Sequence, residues 1–188
     1  MPTLYVVATP IGNLGDMSPR AIETLRAVQL IAAEDTRVTM KLLNAFNIST
    51  PLTSCHEHNE RSKAVQIAER MLAENIDVAV TTDAGTPCIS DPGSVLVREA
   101  AERGIPVVAV SGPTAMASAL SVSGMDISEF TFYGFLPRQK NELREKLTDM
   151  ARHSKIAVVH ESPHRVIELL QQVQAVLPHT YVSASCDL

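Results

Sequence analysis

The sequence predicts an α/β protein made of two successive α/β domains, the first of them built on a parallel sheet, and three features of its 188 residues carry that prediction. Residues 4–8, 30–33, 78–82 and 106–110 are short apolar runs without polar alternation, as expected of strands covered on both faces. Each run ends in a turn of Gly, Pro, acidic or hydroxyl residues and then passes into a helix-period pattern, the strand, turn and helix order that builds parallel sheets. After Gly124 the alternation restarts on an aromatic strand, which calls for a second sheet. The first domain is therefore placed at residues 1–112 and the second at 113–188, where the pattern stops in the middle of an alternating unit and reads as incomplete.

In order, residues 4–8 form the first strand and Thr9-Pro10-Ile11-Gly12-Asn13-Leu14-Gly15-Asp16 breaks it without the spacing of a dinucleotide fingerprint or a P-loop. Ser18 before Pro19 is an N-cap with proline at the first helical position, opening a helix to about residue 27. The second strand, 30–33, runs into Glu34-Asp35-Thr36-Arg37, which serves equally as a helix N-terminus and as a polar cluster at a strand end. A helix over 36–47 and a weak strand at 51–54 lead to Cys55-His56-Glu57-His58. That cluster invites a zinc reading, but no ligand pair follows at metal-site spacing, so no metal is expected. Ala64, Val65, Ile67, Ala68, Met71 and Leu72 fall at helical spacing in a helix over 59–74.

The fourth strand, 78–82, delivers the stretch around which the chain is organised, Asp-Ala-Gly-Thr-Pro-Cys-Ile-Ser-Asp-Pro-Gly at 83–93. Ligands of open α/β sheets bind at the carboxyl ends of strands. There Gly85 permits close backbone approach or φ > 0, and Pro87 and Pro92 stiffen the loop. A helix from Ser94 to a C-terminal cap at Gly104, a fifth strand at 106–110, the turn Ser111-Gly112-Pro113-Thr114 and a small-residue helix over 115–123 complete the first series. Loops 9–17, 34–37, 83–93 and 111–114 should all lie on one side of the sheet. Beyond Gly124, strands are expected at 130–135, 155–160 and 181–185, with helices over 139–152 and up to about 176.

The apolar fraction of 45% and charged fraction of 20% are those of a soluble globular chain. With no apolar run of about 18 residues and no charged leader before the first strand, neither a membrane span nor a signal peptide is expected, and the cytoplasm is the expected compartment. Cys55, Cys88 and Cys186 are odd in number and widely spaced, which suits free thiols in a reducing compartment. The net charge of −5 argues against a protein that coats nucleic acid. Its distribution is uneven: residues 1–137 carry 9 Lys or Arg against 15 Asp or Glu, whereas residues 138–165 carry 7 against 4. Arg138, Lys140 and Arg144 in that basic stretch are candidates to meet a phosphate backbone, with a solvated amphipathic helix as the plainer reading.

Thr9-Pro10-Ile11-Gly12-Asn13-Leu14, Ala33-Glu34-Asp35-Thr36-Arg37, Asp83 to Pro87 with Ser90-Asp91-Pro92-Gly93, Ser111-Gly112-Pro113, Tyr133-Gly134-Phe135-Leu136-Pro137 and Glu161-Ser162-Pro163-His164-Arg165 follow one another along the chain. In these motifs and their order the sequence resembles the ribosomal RNA small subunit methyltransferase I family, a branch of the tetrapyrrole methylase superfamily. The resemblance implies a tetrapyrrole methylase-like fold, with a parallel α/β domain followed by a mixed-sheet α/β domain, and S-adenosylmethionine as cofactor. It implies 2′-O-methylation of a cytidine ribose in the decoding centre of 16S ribosomal RNA, on the small ribosomal subunit, by a homodimer. By similarity the cofactor contacts are Pro10, Gly12, Asp83, Ala84, Gly85, Thr86, Pro87, Ile89, Ser90, Asp91, Ser111, Gly112, Pro113, Thr114 and Ala115. Family members are longer, and the further part normally completes the second sheet and one wall of the cofactor trough.

Transfer of a methyl group to a ribose hydroxyl needs positioning and a group to receive the hydroxyl proton. Asp35, Glu161 and His164 are the candidates for catalysis, Glu34 being a further acceptor, and Glu34, Arg37 and Arg165 are expected on the substrate side, the guanidinium forks suiting phosphates. Both motifs follow apolar strands, so they are expected at a cleft between the domains. Asp35 as a helix cap and Glu161 paired with Arg165 across one helical turn are the structural alternatives. Two other functions remain open at this point: a tetrapyrrole C-methyltransferase, against which the Asp-Thr-Arg and Ser-Pro-His-Arg motifs weigh, and a non-catalytic RNA- or nucleotide-binding module.

Overall fold

The apolar runs of the first 110 residues become strands β1 (Leu4–Val7), β2 (Leu30–Ala33), β3 (Leu52–Ser54), β4 (Val78–Thr81) and β5 (Val107–Val110). They are joined by helices α1 (Pro19–Ala27), α2 (Thr36–Ala45), α3 (Glu60–Glu74) and α4 (Ser94–Glu102), with a single 3-10 turn at Leu14–Asp16. In this computed structural model, which describes residues 1–186, the chain divides into two compact units, Met1–Ala115 and Met116–Cys186.

The first unit holds one five-stranded sheet in the order β3-β2-β4-β1-β5, every pairing parallel. Because β1 and β4 are neighbours, in register Leu4 to Val78 and Val6 to Val80, the loops that follow them emerge side by side. The period-2 alternation of each strand feeds two cores. Leu4, Leu30, Ala32, Val78 and Val80 pack with Ala64, Ile67 and Met71 of α3 and Leu96 and Ala100 of α4, while Val7, Ile31 and Ala79 pack with Ala21 and Leu25 of α1 and Leu43 of α2. Each fully buried Leu, Ile or Val is worth about 1.5–3 kcal/mol, so the sheet centre is held by burial and its carboxyl edge, where the runs end, must be held by hydrogen bonds.

Helix ends follow the expected chemistry. Ser18 accepts from the Ala21 N–H at 3.1 Å with Pro19 in the first turn, and Gly104, at φ +72°, closes α4 while Ile105 N–H returns to Ala100 O.

The second unit comprises α5 (Ala115–Val122, its first residue still within the first unit), β6 (Thr131–Phe135), α6 (Lys140–His153), β7 (Ala157–His160) and α7 (Val166–Val176). β6 and β7 pair in parallel, with an irregularity between Phe132 and Gly134. One face is covered by Leu143, Leu147 and Met150 of α6 and Leu169 of α7, which gather with Leu136, Tyr133 and Val159. The strand expected at 181–185 is not formed: no pairing partner stands beside it among the described residues, and Tyr181 and Val182 are exposed. The second sheet therefore shows two parallel strands and no antiparallel one among the described residues. No helix of the described residues is long and apolar enough to cross a membrane.

Candidate functional site

The parallel sheet brings the loops after β1, β2, β4 and β5 to one edge, and hydrogen bonds knit them to one another. Thr9 and Gly85 exchange backbone bonds, N–H to O at 2.9 and 3.1 Å, and Thr9 Oγ1 donates to Thr82 O at 3.1 Å, so the first and fourth loops are sewn together. Thr86 Oγ1 donates to Pro113 O at 3.2 Å and ties the fourth loop to the fifth. Gly85 sits at φ +86°, and a Cβ on it would stand 3.4 Å from Ile11 Cγ2. A Cβ on Gly112 would stand 3.0 Å from that of Ala8. The loops thus approach backbone to backbone, with the small residues Ala84, Ser111 and Gly112 exposed along the edge. Pro10, Gly12, Asp83 to Pro87, Ile89 to Asp91 and Ser111 to Thr114 all lie on these connected loops, and Ala115 opens α5 directly after them.

Within the 83–93 loop two residues other than glycine, Cys88 and Ser90, hold φ of +70° and +66°. Such conformations cost of order 1–3 kcal/mol each and persist only where the surroundings over-determine them.

The carboxylates at this edge fall into two groups. Asp35 caps α2, accepting the Arg37 N–H at 2.8 Å, and the Arg37 guanidinium folds back to pair with it at 2.6 Å. That hydrogen bond holds the Asp35 carboxyl down at about 2, from 3.8. Glu34 accepts from Thr82 Oγ1 at 2.5 Å and from the Asp83 N–H at 3.2 Å, and Asp83 Oδ1 in turn accepts the Asp35 N–H at 3.1 Å, a reciprocal clasp between the second and fourth loops. Burial and then the Glu34 charge push the Asp83 carboxyl up. The same two causes, in the same order, bring Asp91 up to about 6 against the pull of Thr82. An edge where Glu34, Asp83 and Asp91 gather, with the Asp83 and Asp91 carboxyls pushed up, favours a ligand that is cationic or donates hydrogen bonds.

Cys55 and Cys88 are thiols rather than thiolates at neutral pH, because burial pushes both up to about 11. His56 and His58 meet ring edge to face at 5.9 Å, and no group of three His, Cys, Asp or Glu side chains able to hold a metal ion occurs among the described residues.

In the second unit Glu161 and Arg165 pair at 3.4 Å across one turn, and the Glu161 side chain, 6% exposed, also accepts the Ser162 N–H at 2.8 Å. His164 beside them is exposed and makes no hydrogen bond among the described residues. His160, the last residue of β7, packs edge-on against the rings of Phe132 and Phe135 with Nε2 buried and without a partner among the described residues, and burial pushes its imidazole down toward the neutral form. On α6 and just before it, Arg138 and Lys140 are exposed without ion-pair partners among the described residues. Arg144 donates to Gln172 Oε1 at 3.1 Å, whereas Lys146 is drawn to Asp149 and over the Tyr133 ring.

Residues 3–185 match the family described as Tetrapyrrole (Corrin/Porphyrin) Methylases. The chain belongs to the tetrapyrrole methylase family. It is 47% identical over 176 residues, 94% of its length and 61% of the relative's, to "Ribosomal RNA small subunit methyltransferase I" of Vibrio cholerae serotype O1. It is 43% identical over all its 188 residues, 64% of the relative's length, to the protein of the same name from Bacillus subtilis. It thus spans a little over three fifths of the length of these curated relatives. Among solved structures, a diphthine synthase superposes with a TM-score of 0.68 at 13% identity, covering 95% of this chain and 72% of that one. A uroporphyrin-III-C-methyltransferase from Thermus thermophilus superposes with 0.59 at 14%, covering 96% and 75%. These two show the tetrapyrrole methylase fold, an α/β fold with a parallel sheet, and no more than the fold.

One residue of this tetrapyrrole methylase edge escapes sequence reading. Glu60, the first residue of α3 and only 9% exposed, accepts the N–H groups of Gly93 and Val95 at 2.6 and 3.0 Å. The one signal in the sequence is that Gly93, before a helix, has no side chain with which to cap it.

Proposed function

We propose that this chain is the catalytic portion of an S-adenosylmethionine-dependent methyltransferase that methylates the ribose 2′-OH of a cytidine in 16S ribosomal RNA, acting in the cytoplasm as a homodimer on the small ribosomal subunit. The observation that carries the reading is 43–48% identity, over nearly the whole chain, to proteins named for methylating the RNA of that subunit. The loop edge of the first sheet fits the cofactor. Its glycines let the loops meet backbone to backbone, and it offers exposed backbone beside carboxylates that suit a sulfonium and an amino group.

The cofactor supplies a methyl group on a cationic sulfur, transferred by in-line displacement. Pro10, Gly12, Asp83 to Pro87, Ile89 to Asp91 and Ser111 to Ala115 hold it, mostly through backbone groups. Arg37 and Arg165 grip phosphates, each kept in place by its carboxylate, Asp35 and Glu161. Those two carboxylates are engaged, so of the three candidates His164, exposed and unpartnered, is assigned to receive the hydroxyl proton. Glu34 orders the loops through Thr82 and Asp83. Arg138, Lys140 and Arg144 meet the RNA backbone. The test is transfer of a radiolabelled methyl group by the chain to small subunits lacking the modification, with the label mapped to a cytidine ribose. Label on a base, on a tetrapyrrole offered in parallel, or on neither removes the proposal.

A further inference from the structure

Glu60 begins α3, yet its side chain serves α4. Gly93, the residue before α4, accepts the Val97 N–H on its carbonyl at 2.9 Å but has no side chain to cap the free N–H groups of the first turn, and no local side chain does so. A carboxylate 33 residues earlier in the chain stands in that place, taking the Gly93 and Val95 N–H groups on one oxygen. It carries negative charge to the positive end of the helix.

The consequence reaches into the 83–93 loop. That loop is fastened at its start by the Thr9–Gly85 exchange and at its end by Glu60 on Gly93. Between these anchors Cys88 N–H donates to Pro92 O at 3.3 Å, and a Cβ on Gly93 would stand 2.9 Å from Cys88 Sγ, so the end of the loop folds tightly on itself. Cys88 and Ser90 are held at positive φ inside this span. Removing the far anchor leaves the buried Gly93 N–H and the half-buried Val95 N–H without partners and lets Cys88 and Ser90 relax toward negative φ, carrying Ile89 and Asp91 with them.

We infer that Glu60 is a positioning residue: from α3 it fixes the strained 88–93 segment in the geometry that presents Ile89, Ser90 and Asp91 to the ligand. This rests on reading the loop as the cofactor edge. The experiment separates the two ideas by pairing amide hydrogen exchange with calorimetric titration of S-adenosylhomocysteine into the chain, for the wild type, Glu60→Ala and Glu60→Gln. Glu60→Ala should speed exchange at Gly93, Val95 and residues 88–91 by about tenfold or more, leave the β1 and β4 amides protected, and weaken binding by a similar factor. Glu60→Gln keeps an oxygen that accepts both bonds and should stay within about threefold of the wild type on both measures. If Glu60→Ala does not fold, Glu60→Asp, one methylene too short to reach both N–H groups, must give the same loss confined to the loop.

Wild-type exchange at Gly93 and Val95 in the variant overturns the inference. So does loop exchange that rises while affinity stays native, or a Gln variant as impaired as the Ala one. If the wild type binds no S-adenosylhomocysteine, the cofactor reading falls, and the exchange pattern alone decides whether Glu60 holds the loop.

Discussion

Gly85 offers the sharpest separation between a residue that shapes the fold and one that faces a ligand. It sits at φ +86°, where an L side chain is strained whatever the space, and its Cβ position lies 3.4 Å from Ile11 Cγ2 and 3.9 Å from Pro113 O. The first of these is the β-branch methyl of a half-buried side chain and both distances are ordinary van der Waals contacts, so the steric part of a Gly85→Ala substitution is small and the backbone part, about 1–2 kcal/mol, dominates. For a chain of this size that is a drop in Tm of roughly 2–8 °C. Gly104 provides the matched control: φ is +72° and nothing among the described residues lies within 4 Å of its Cβ position. Gly104→Ala should therefore show a comparable drop in Tm with unaltered affinity for S-adenosylhomocysteine, whereas Gly85→Ala should lose affinity as well, because its methyl group lies where the first, fourth and fifth loops converge. Valine is a poorer probe, since a β-branched residue at this φ disturbs the loop itself. Differential scanning fluorimetry with calorimetry decides the matter. Equal affinities in the two variants would show that the edge takes no ligand at Gly85, and an unchanged Tm in Gly85→Ala would refute the reasoning from backbone strain.

Three further outcomes are expected. The Asp35 carboxyl, held at about 2 by Arg37, should titrate near that value by NMR and move toward 3.8 in Arg37→Gln; its folded value is depressed, so its contribution to stability is present above about pH 4 and lost as the pH falls through about 2, and a wild-type midpoint near 4 would mean the pair is not formed. Asp91 is raised to about 6, so between about pH 4 and 6 the folded chain keeps a proton that the unfolded chain has released and stability falls as the pH rises through that window; urea midpoints at pH 4 and 7 should show the decline in the wild type and a smaller one in Asp91→Asn. Replacing Arg138, Lys140 and Arg144 together by Ala should lower the salt slope of small-subunit binding by roughly one unit for each phosphate no longer neutralised, with cofactor affinity unchanged, and an unaltered slope would remove α6 from the RNA surface.

What could be read from the sequence and what could not divide along the range of the interactions involved. Apolar runs at Leu4, Leu30 and Val78 announce buried strands because burial on both faces leaves no polar positions, and Ser18-Pro19 and Gly104 announce helix ends because those residues act on backbone within four positions. The strand expected at 181–185 had the right composition, yet composition does not supply a neighbour for its backbone groups, and none stands beside it among the described residues. At the site, Glu34-Asp35-Thr36-Arg37 showed its chemistry but not its wiring: Asp35 and Arg37 close on each other locally, while Glu34 reaches 48 residues ahead to Thr82. Glu60 lies at the far end of this scale. Its helical position reads as an exposed first-turn acid of α3, and only the packing of α3 beside α4 turns it toward Gly93. The residues that hold a loop edge in shape therefore belong to elements other than the loop, and a motif names the surface a ligand meets more readily than the side chains that keep that surface in place.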